Sequence, residues 1–142
     1  MADTWNRTRW RKLIVRGLAW CACVGLWTAA LLTTYPVEVG KEIAPSGMYL
    51  PTAKLLHVGA YAFLTVFISW LPLRRWRWLL LAFLSLHALG TEFFQQFVPG
   101  RTGKAGDVLI DHVGLFLGVA LTWKRWLPKP SVRLSCPQRQ EG

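Results

Sequence analysis

The sequence predicts an all-α integral membrane protein: a bundle of four transmembrane helices with both termini cytoplasmic. Three observations carry this expectation. Just over half of the 142 residues are hydrophobic. The charges gather in short clusters instead of interleaving with apolar residues at helix or strand spacing, and the gaps between clusters have the length of a bilayer crossing. No charged residue lies between Arg16 and Glu38, and none between Lys54 and Arg74; roughly 20 apolar residues suffice to span the hydrocarbon. Between Arg77 and Arg101 the one formal charge is Glu92, and between Lys104 and Lys124 the charges are Asp107 and Asp111. These gaps give two clean spans and two that carry acids.

Orientation follows from the basic residues. The net charge of +10 would suit a nucleic-acid binder, but these charges sit at the ends of apolar segments and not on a soluble face, so no nucleic-acid partner is expected. Thirteen of the 17 lysines and arginines precede the first span, join the second to the third, or follow the fourth. The positive-inside rule places those segments in the cytoplasm. Lys41, Lys54, Arg101 and Lys104 then fall in or beside the two outward loops.

The first helix is expected over about residues 13–35, ending before Pro36, because proline disfavours helix in the residue preceding it. It reads as a retained anchor, since it is longer than a signal-peptide core and lacks a small-x-small cleavage site. A loop punctuated by Pro36, Pro45, Gly47 and Pro51 leads to the second helix, about residues 52–71. A short basic turn with Trp70, Trp76 and Trp78 at interfacial depth leads to the third, about 78–97. Val98-Pro99-Gly100 stops it, and the fourth runs from about Asp107 to Trp126. The domain reading is a basic cytoplasmic segment over 1–12, a transmembrane unit over 13–127 and a flexible cytoplasmic tail over 128–142. Cys21, Cys23 and Cys136 have no metal spacing and no expected disulfide partner.

With this topology the polar residues of the spans collect at one surface. Lys54, His57 and Tyr61 are spaced i, i+3 and i+7 on one face of the second helix. Glu92 and Gln95 lie near the end of the third, Arg101 in the turn, and Asp107 and Asp111 one turn apart at the start of the fourth. Gly114 and Gly118 continue that last stripe and permit close helix packing. A carboxylate at membrane depth costs roughly 2.5–3.5 kcal/mol on insertion scales, which makes such residues site candidates. The structural alternative is that they hold the helices in register, with Asp107 capping the fourth helix. His87 and His112 read as interhelical hydrogen-bonding residues. Glu92, Asp107, Asp111 and His57 are ligand types for a hard or borderline cation, but no spacing among them is diagnostic. Neither a metal nor a cofactor is expected, and no catalytic residue is assigned.

The run Glu92-Phe93-Phe94-Gln95-Gln96-Phe97-Val98-Pro99-Gly100-Arg101, followed by Asp107 and by Asp111-His112-Val113-Gly114, closely resembles the VanZ-like family of membrane proteins. The family's Glu-x2-Gln pair, Pro-Gly-Arg turn, later Asp and following Gly are matched by Glu92, Gln95, Arg101, Asp107 and Gly114. Its earlier Asp-Lys-x2-His pattern is matched by Lys54 and His57. Ala53 stands where that Asp is usual, and Asp111 where Asn is usual, so an acid lost from one helix returns on another. The resemblance implies a multi-pass protein of the bacterial inner membrane and leaves the mechanism open.

Three functions are compatible with these residues. The first is binding of an envelope molecule, such as a lipid-linked glycan precursor, with Lys54 and Arg101 holding charge and the acids accepting from sugar hydroxyls. The second is an intramembrane enzyme using Glu92 or His57 as acid or base on an envelope lipid. The third is a small transporter, disfavoured because the acids lie near one surface and give no path to the other. The bilayer is the expected partner in every case, and the sequence specifies no oligomeric state.

Overall fold

The computed structural model describes residues 2–34, 38–39, 42, 48–99, 101 and 103–127. Helix α1 runs Ala2–Leu32, α2 Tyr49–Trp70, α3 Arg77–Gln95, α4 Ala105–Leu121 and the short α5 Trp123–Trp126. A 3-10 turn, Arg74–Trp76, joins α2 to α3. No strand occurs among the described residues. The prolines and glycine of the loop before Pro51, Gly100, Cys136 and the tail from Pro128 lie outside them.

Helix α1 begins well before residue 13 because nothing in the basic segment interrupts it: arginine and lysine are good helix formers, and no proline or glycine occurs before Gly17. Pro51 sits in the first turn of α2, where its missing N–H would have had no intrahelical partner. Helix α3 stops at Gln95, short of Phe97, so Glu92 lies in its last turn. Helix α4 ends at Leu121, where Thr122 leaves helical geometry (φ −117°, ψ 18°) before α5. Three helices, at Trp10–Leu32, Leu50–Trp70 and Arg74–Gln95, are long and apolar enough to cross a membrane. With 17 residues, α4 is shorter than these.

Contacts fix the relative directions. Arg16 donates to the Trp70 carbonyl (3.2 Å), Trp20 Nε1 to the Leu64 carbonyl (3.2 Å), and Trp27 stacks edge-on against His57, so α1 and α2 are antiparallel. Trp20 meets Phe83, Thr28 meets His87 and the Leu31 carbonyl meets Gln95, so α1 and α3 are parallel. His57 pairs with Asp111 and Thr65 lies against Gly118, so α2 and α4 are parallel. A Cβ at Gly114 would lie 2.5 Å from the Val58 carbonyl oxygen, and one at Gly118 would lie 2.5 Å from Thr65 Cβ. Only glycine lets the two backbones approach this closely.

The core is a column of Trp20, Val24, Tyr61, Leu64, Ile68, Leu84, Ala88 and Leu115. Around it, Leu18, Leu26, Leu55, Phe63, Leu86, Leu109, Phe116 and Leu121 are exposed. So much outward apolar surface does not suit water. It is what hydrocarbon surroundings require.

One end of the bundle is basic and aromatic. Arg77 donates to the Ser69 carbonyl (2.7 Å), to the Leu71 carbonyl (3.4 Å) and to the Arg125 carbonyl, tying the end of α2 to α5. Arg125 lies over the Trp70 ring, 5.4 Å from its centroid, and Trp78 meets Trp126 at 5.0 Å. Opposite this basic end is the polar end, where the site candidates lie.

Candidate functional site

Three helix ends converge at the polar end: the opening turns of α2, the last turn of α3 and the opening turns of α4. His57 Nδ1 donates to Asp111 Oδ1 at 2.8 Å, joining α2 to α4. Asp111 is 0% exposed and Glu92 4%. Glu92 Oε2 accepts the backbone N–H of Lys104 at 2.9 Å, which seats the α3–α4 turn on the end of α3. One donor atom from each of His57, Glu92 and Asp111 lies within 4.8 Å of the other two. Glu92 Oε1 and Asp111 Oδ2 are both buried without a hydrogen-bond partner among the described residues. A buried acceptor left unmade costs about 1–3 kcal/mol, more when charged.

Helix α1 supplies one wall. The Trp27 ring meets His57 edge-on, with centroids 5.5 Å apart, and meets Tyr61 at 6.5 Å. Beneath lies a second hydrogen-bonded group. Thr28 Oγ1 spends its proton on the Val24 carbonyl (2.8 Å), so His87 Nε2–H donates to Thr28 Oγ1 (2.8 Å). His87 Nδ1 then accepts from the Tyr61 hydroxyl at 3.0 Å. Tyr61 is therefore turned to this deeper tie among α1, α2 and α3, away from the His57–Asp111 pair. His112 is settled likewise: its Nδ1–H donates to the Val108 carbonyl (2.8 Å) and its Nε2 accepts from Ser85 Oγ (2.8 Å), linking α4 to α3. Both histidines make the interhelical hydrogen bonds the sequence suggested.

The remaining candidates divide. Arg101 donates to the Ala30 carbonyl (2.9 Å) and Gln95 Nε2 to the Leu31 carbonyl (3.2 Å). Both carbonyls belong to the last turn of α1, whose final four C=O groups lack intrahelical donors. A cation there also suits the negative end of the helix dipole. Lys54 is exposed on α2, three residues before His57. Asp107 is half-buried in the first turn of α4, whose N-cap residue is Lys104 and carries no side-chain cap bond. Gly114 and Gly118 are buried against α2.

Trp27 and Thr28 are not among the residues that charge and polarity single out in the sequence. Between Gly17 and Leu32 helix α1 carries no charged residue, so a search for charge passes over its inner half. The available signal was spacing: Trp20, Val24, Trp27 and Leu31 recur at i, i+4, i+7 and i+11, the face that turns inward.

An all-helical protein with apolar outer surfaces, an aromatic basic end and ionisable groups buried at the other end is a helical membrane protein with a built polar site. The VanZ/LLP1 family model matches residues 5–127, and the chain belongs to that family. Neither a curated protein nor a solved structure matches it.

Proposed function

We propose that this VanZ-like membrane protein spans the bacterial inner membrane four times, with both termini cytoplasmic. In this reading the polar end faces outward and holds the headgroup of an envelope lipid, such as a lipid-linked glycan precursor. The transmembrane unit is residues 13–127, flanked by the basic segment 1–12 and the tail 128–142. Support for the fourth span comes from packing: α4 runs parallel to α2 and lies against it from His57 to Thr65, so the two share a depth. Its 17 residues reach about 25 Å at the usual rise, the short end of what a bilayer crossing uses. Helix α5 continues toward the basic end. Arg16, Arg74, Arg75, Arg77, Lys124 and Arg125 at that end support the orientation.

The observation that carries the headgroup reading is the His57–Asp111 pair beside Glu92, with two buried carboxylate oxygens that lack partners among the described residues. Sugar or phosphate-bound hydroxyls are donors of the kind those oxygens lack. Exposed Lys54, one turn before His57 on α2, would meet an anionic linkage. The second reading, acid–base chemistry on the same lipid, is favoured by one geometric fact. The 2.8 Å bond to Asp111 holds His57 in one tautomer, leaving its other nitrogen to accept a proton.

A photoactivatable polyprenyl-phosphate glycan probe, cross-linked to protein in membranes and mapped by peptide mass spectrometry, tests the proposal. Label is expected on peptides carrying Lys54, Glu92 and Lys104. Label confined to peptides around Arg74–Trp78 would place the lipid at the wrong end and refute the site.

A further inference from the structure

We propose that His57, Glu92 and Asp111 form a binding site for one divalent cation of the hard-to-borderline class, with Mn²⁺ its natural probe. The argument begins with the donor set. One imidazole nitrogen and two carboxylates converge within 4.8 Å from three different helices, α2, α3 and α4. No local sequence spacing could announce such a site. A pure oxygen cage would suit Mg²⁺ or Ca²⁺ and thiolates a softer ion, whereas mixed imidazole and carboxylate suits Mn²⁺, Fe²⁺ or Zn²⁺.

The spacing allows a shared ion. His57 Nδ1 and Asp111 Oδ1 are 2.8 Å apart, and two donors each about 2.1 Å from a common ion can lie up to about 4.2 Å apart; Glu92 offers its oxygen from within 4.8 Å of both. The ion would displace the Nδ1 proton and replace the His57–Asp111 hydrogen bond with two coordinate bonds.

The independent observation is the pair of oxygens left over. Glu92 Oε1 and Asp111 Oδ2 belong to side chains 4% and 0% exposed, and both are without a hydrogen-bond partner among the described residues. Two ionised carboxylates beside a neutral imidazole carry a charge of −2. A divalent cation cancels it and uses lone pairs that the described residues leave unsatisfied. Neighbouring groups hold two of the three donors in place: the Lys104 backbone N–H fixes Glu92 Oε2 at 2.9 Å and the Trp27 ring braces His57. Three protein ligands leave open positions on the ion. That these face a lipid phosphate rests on the headgroup reading; the ion site does not.

The test uses the full chain purified in detergent, stripped with chelator, with no lipid precursor present. Equilibrium dialysis against Mn²⁺ is expected to give one ion per chain, and pulsed electron paramagnetic resonance of the bound Mn²⁺ is expected to show coupling to an imidazole nitrogen. Glu92→Gln and Asp111→Asn should each weaken binding by at least about tenfold, the lower end of what losing even a supporting group costs. Glu42→Gln, an exposed acid elsewhere, should bind as wild type does. No stoichiometric Mn²⁺ on the wild type overturns the proposal without reference to any variant, as does bound Mn²⁺ that lacks the nitrogen coupling. Binding that survives in both Glu92→Gln and Asp111→Asn also overturns it. Because no lipid is present, failure here leaves the headgroup reading to its own cross-linking test.

Discussion

Replacing Gly118 with alanine should destabilise the protein, whereas the same replacement at Gly90 should not. A Cβ at Gly118 would lie 2.5 Å from Thr65 Cβ and 2.7 Å from the Ala62 carbonyl oxygen. Ordinary carbon contacts are about 3.5–4.0 Å, so α2 and α4 must part by about 1 Å locally. One obstacle is backbone and the other a β-branched side chain, so neither can swing aside. Overpacking of this kind costs about 1–3 kcal/mol. Both glycines lie within helices, so alanine brings each the same gain in helix propensity, about 0.5–1 kcal/mol. At Gly90 nothing lies within 4 Å of the added carbon. The propensity gain cancels between the two variants, and their difference isolates the steric cost. Reversible unfolding in mixed micelles, followed by circular dichroism, should find Gly118→Ala less stable than Gly90→Ala by about 1–3 kcal/mol. Equal stability would mean that α2 and α4 are not in backbone contact at this stripe, and the parallel packing that sets Asp111 opposite His57 would fall with it.

Other consequences can be checked in the same system. Arg77→Ala removes donors from the carbonyls of Ser69, Leu71 and Arg125 and should cost about 1–2 kcal/mol, below the full value of charge-assisted bonds because the site is part-exposed; unchanged unfolding would rule out the tie. Trp20→Phe deletes the bond to the Leu64 carbonyl and should cost about 1 kcal/mol in the same assay. Arg101→Ala should loosen the end of α1, seen as faster amide exchange near Ala30 and Leu31, because its guanidinium caps that turn; protection equal to wild type would contradict the cap. With Cys21, Cys23 and Cys136 replaced by serine, thiols introduced by Lys54→Cys and Lys124→Cys should react with a membrane-impermeant reagent from opposite sides of the membrane; labelling of both from one side would refute the four-span topology.

How much was legible in the sequence depended on charge. The gaps between charged clusters marked α1, α2 and α3, because a bilayer crossing excludes charge over a fixed length. The helix ends were less visible. Nothing before Gly17 interrupts the helix, so α1 extends back to Ala2, and the Pro99 stop acts about one turn upstream by way of the turn after Gln95. At the polar end, the convergence of His57, Glu92 and Asp111 could be inferred once three helices were known to turn there. Their pairing could not, since it depends on the rotation of α4 about its own axis, which Gly114 and Gly118 set by their approach to α2. Tyr61 shares a face with His57 yet is claimed by His87 one layer deeper. Gln95 and Arg101 are drawn to the open carbonyls of α1, a demand created only when that helix ends at Leu32 beside them.

If the buried His57–Glu92–Asp111 group holds an envelope-lipid headgroup, as proposed, its loss must weaken lipid binding. The dissociation constant of a lipid-linked glycan precursor, measured in nanodiscs for the wild type and for Asp111→Asn, reads this out. Binding should weaken by about tenfold or more, corresponding to about 1.4 kcal/mol, in a variant whose circular dichroism shows the helices intact. The same dissociation constant for both proteins would contradict it.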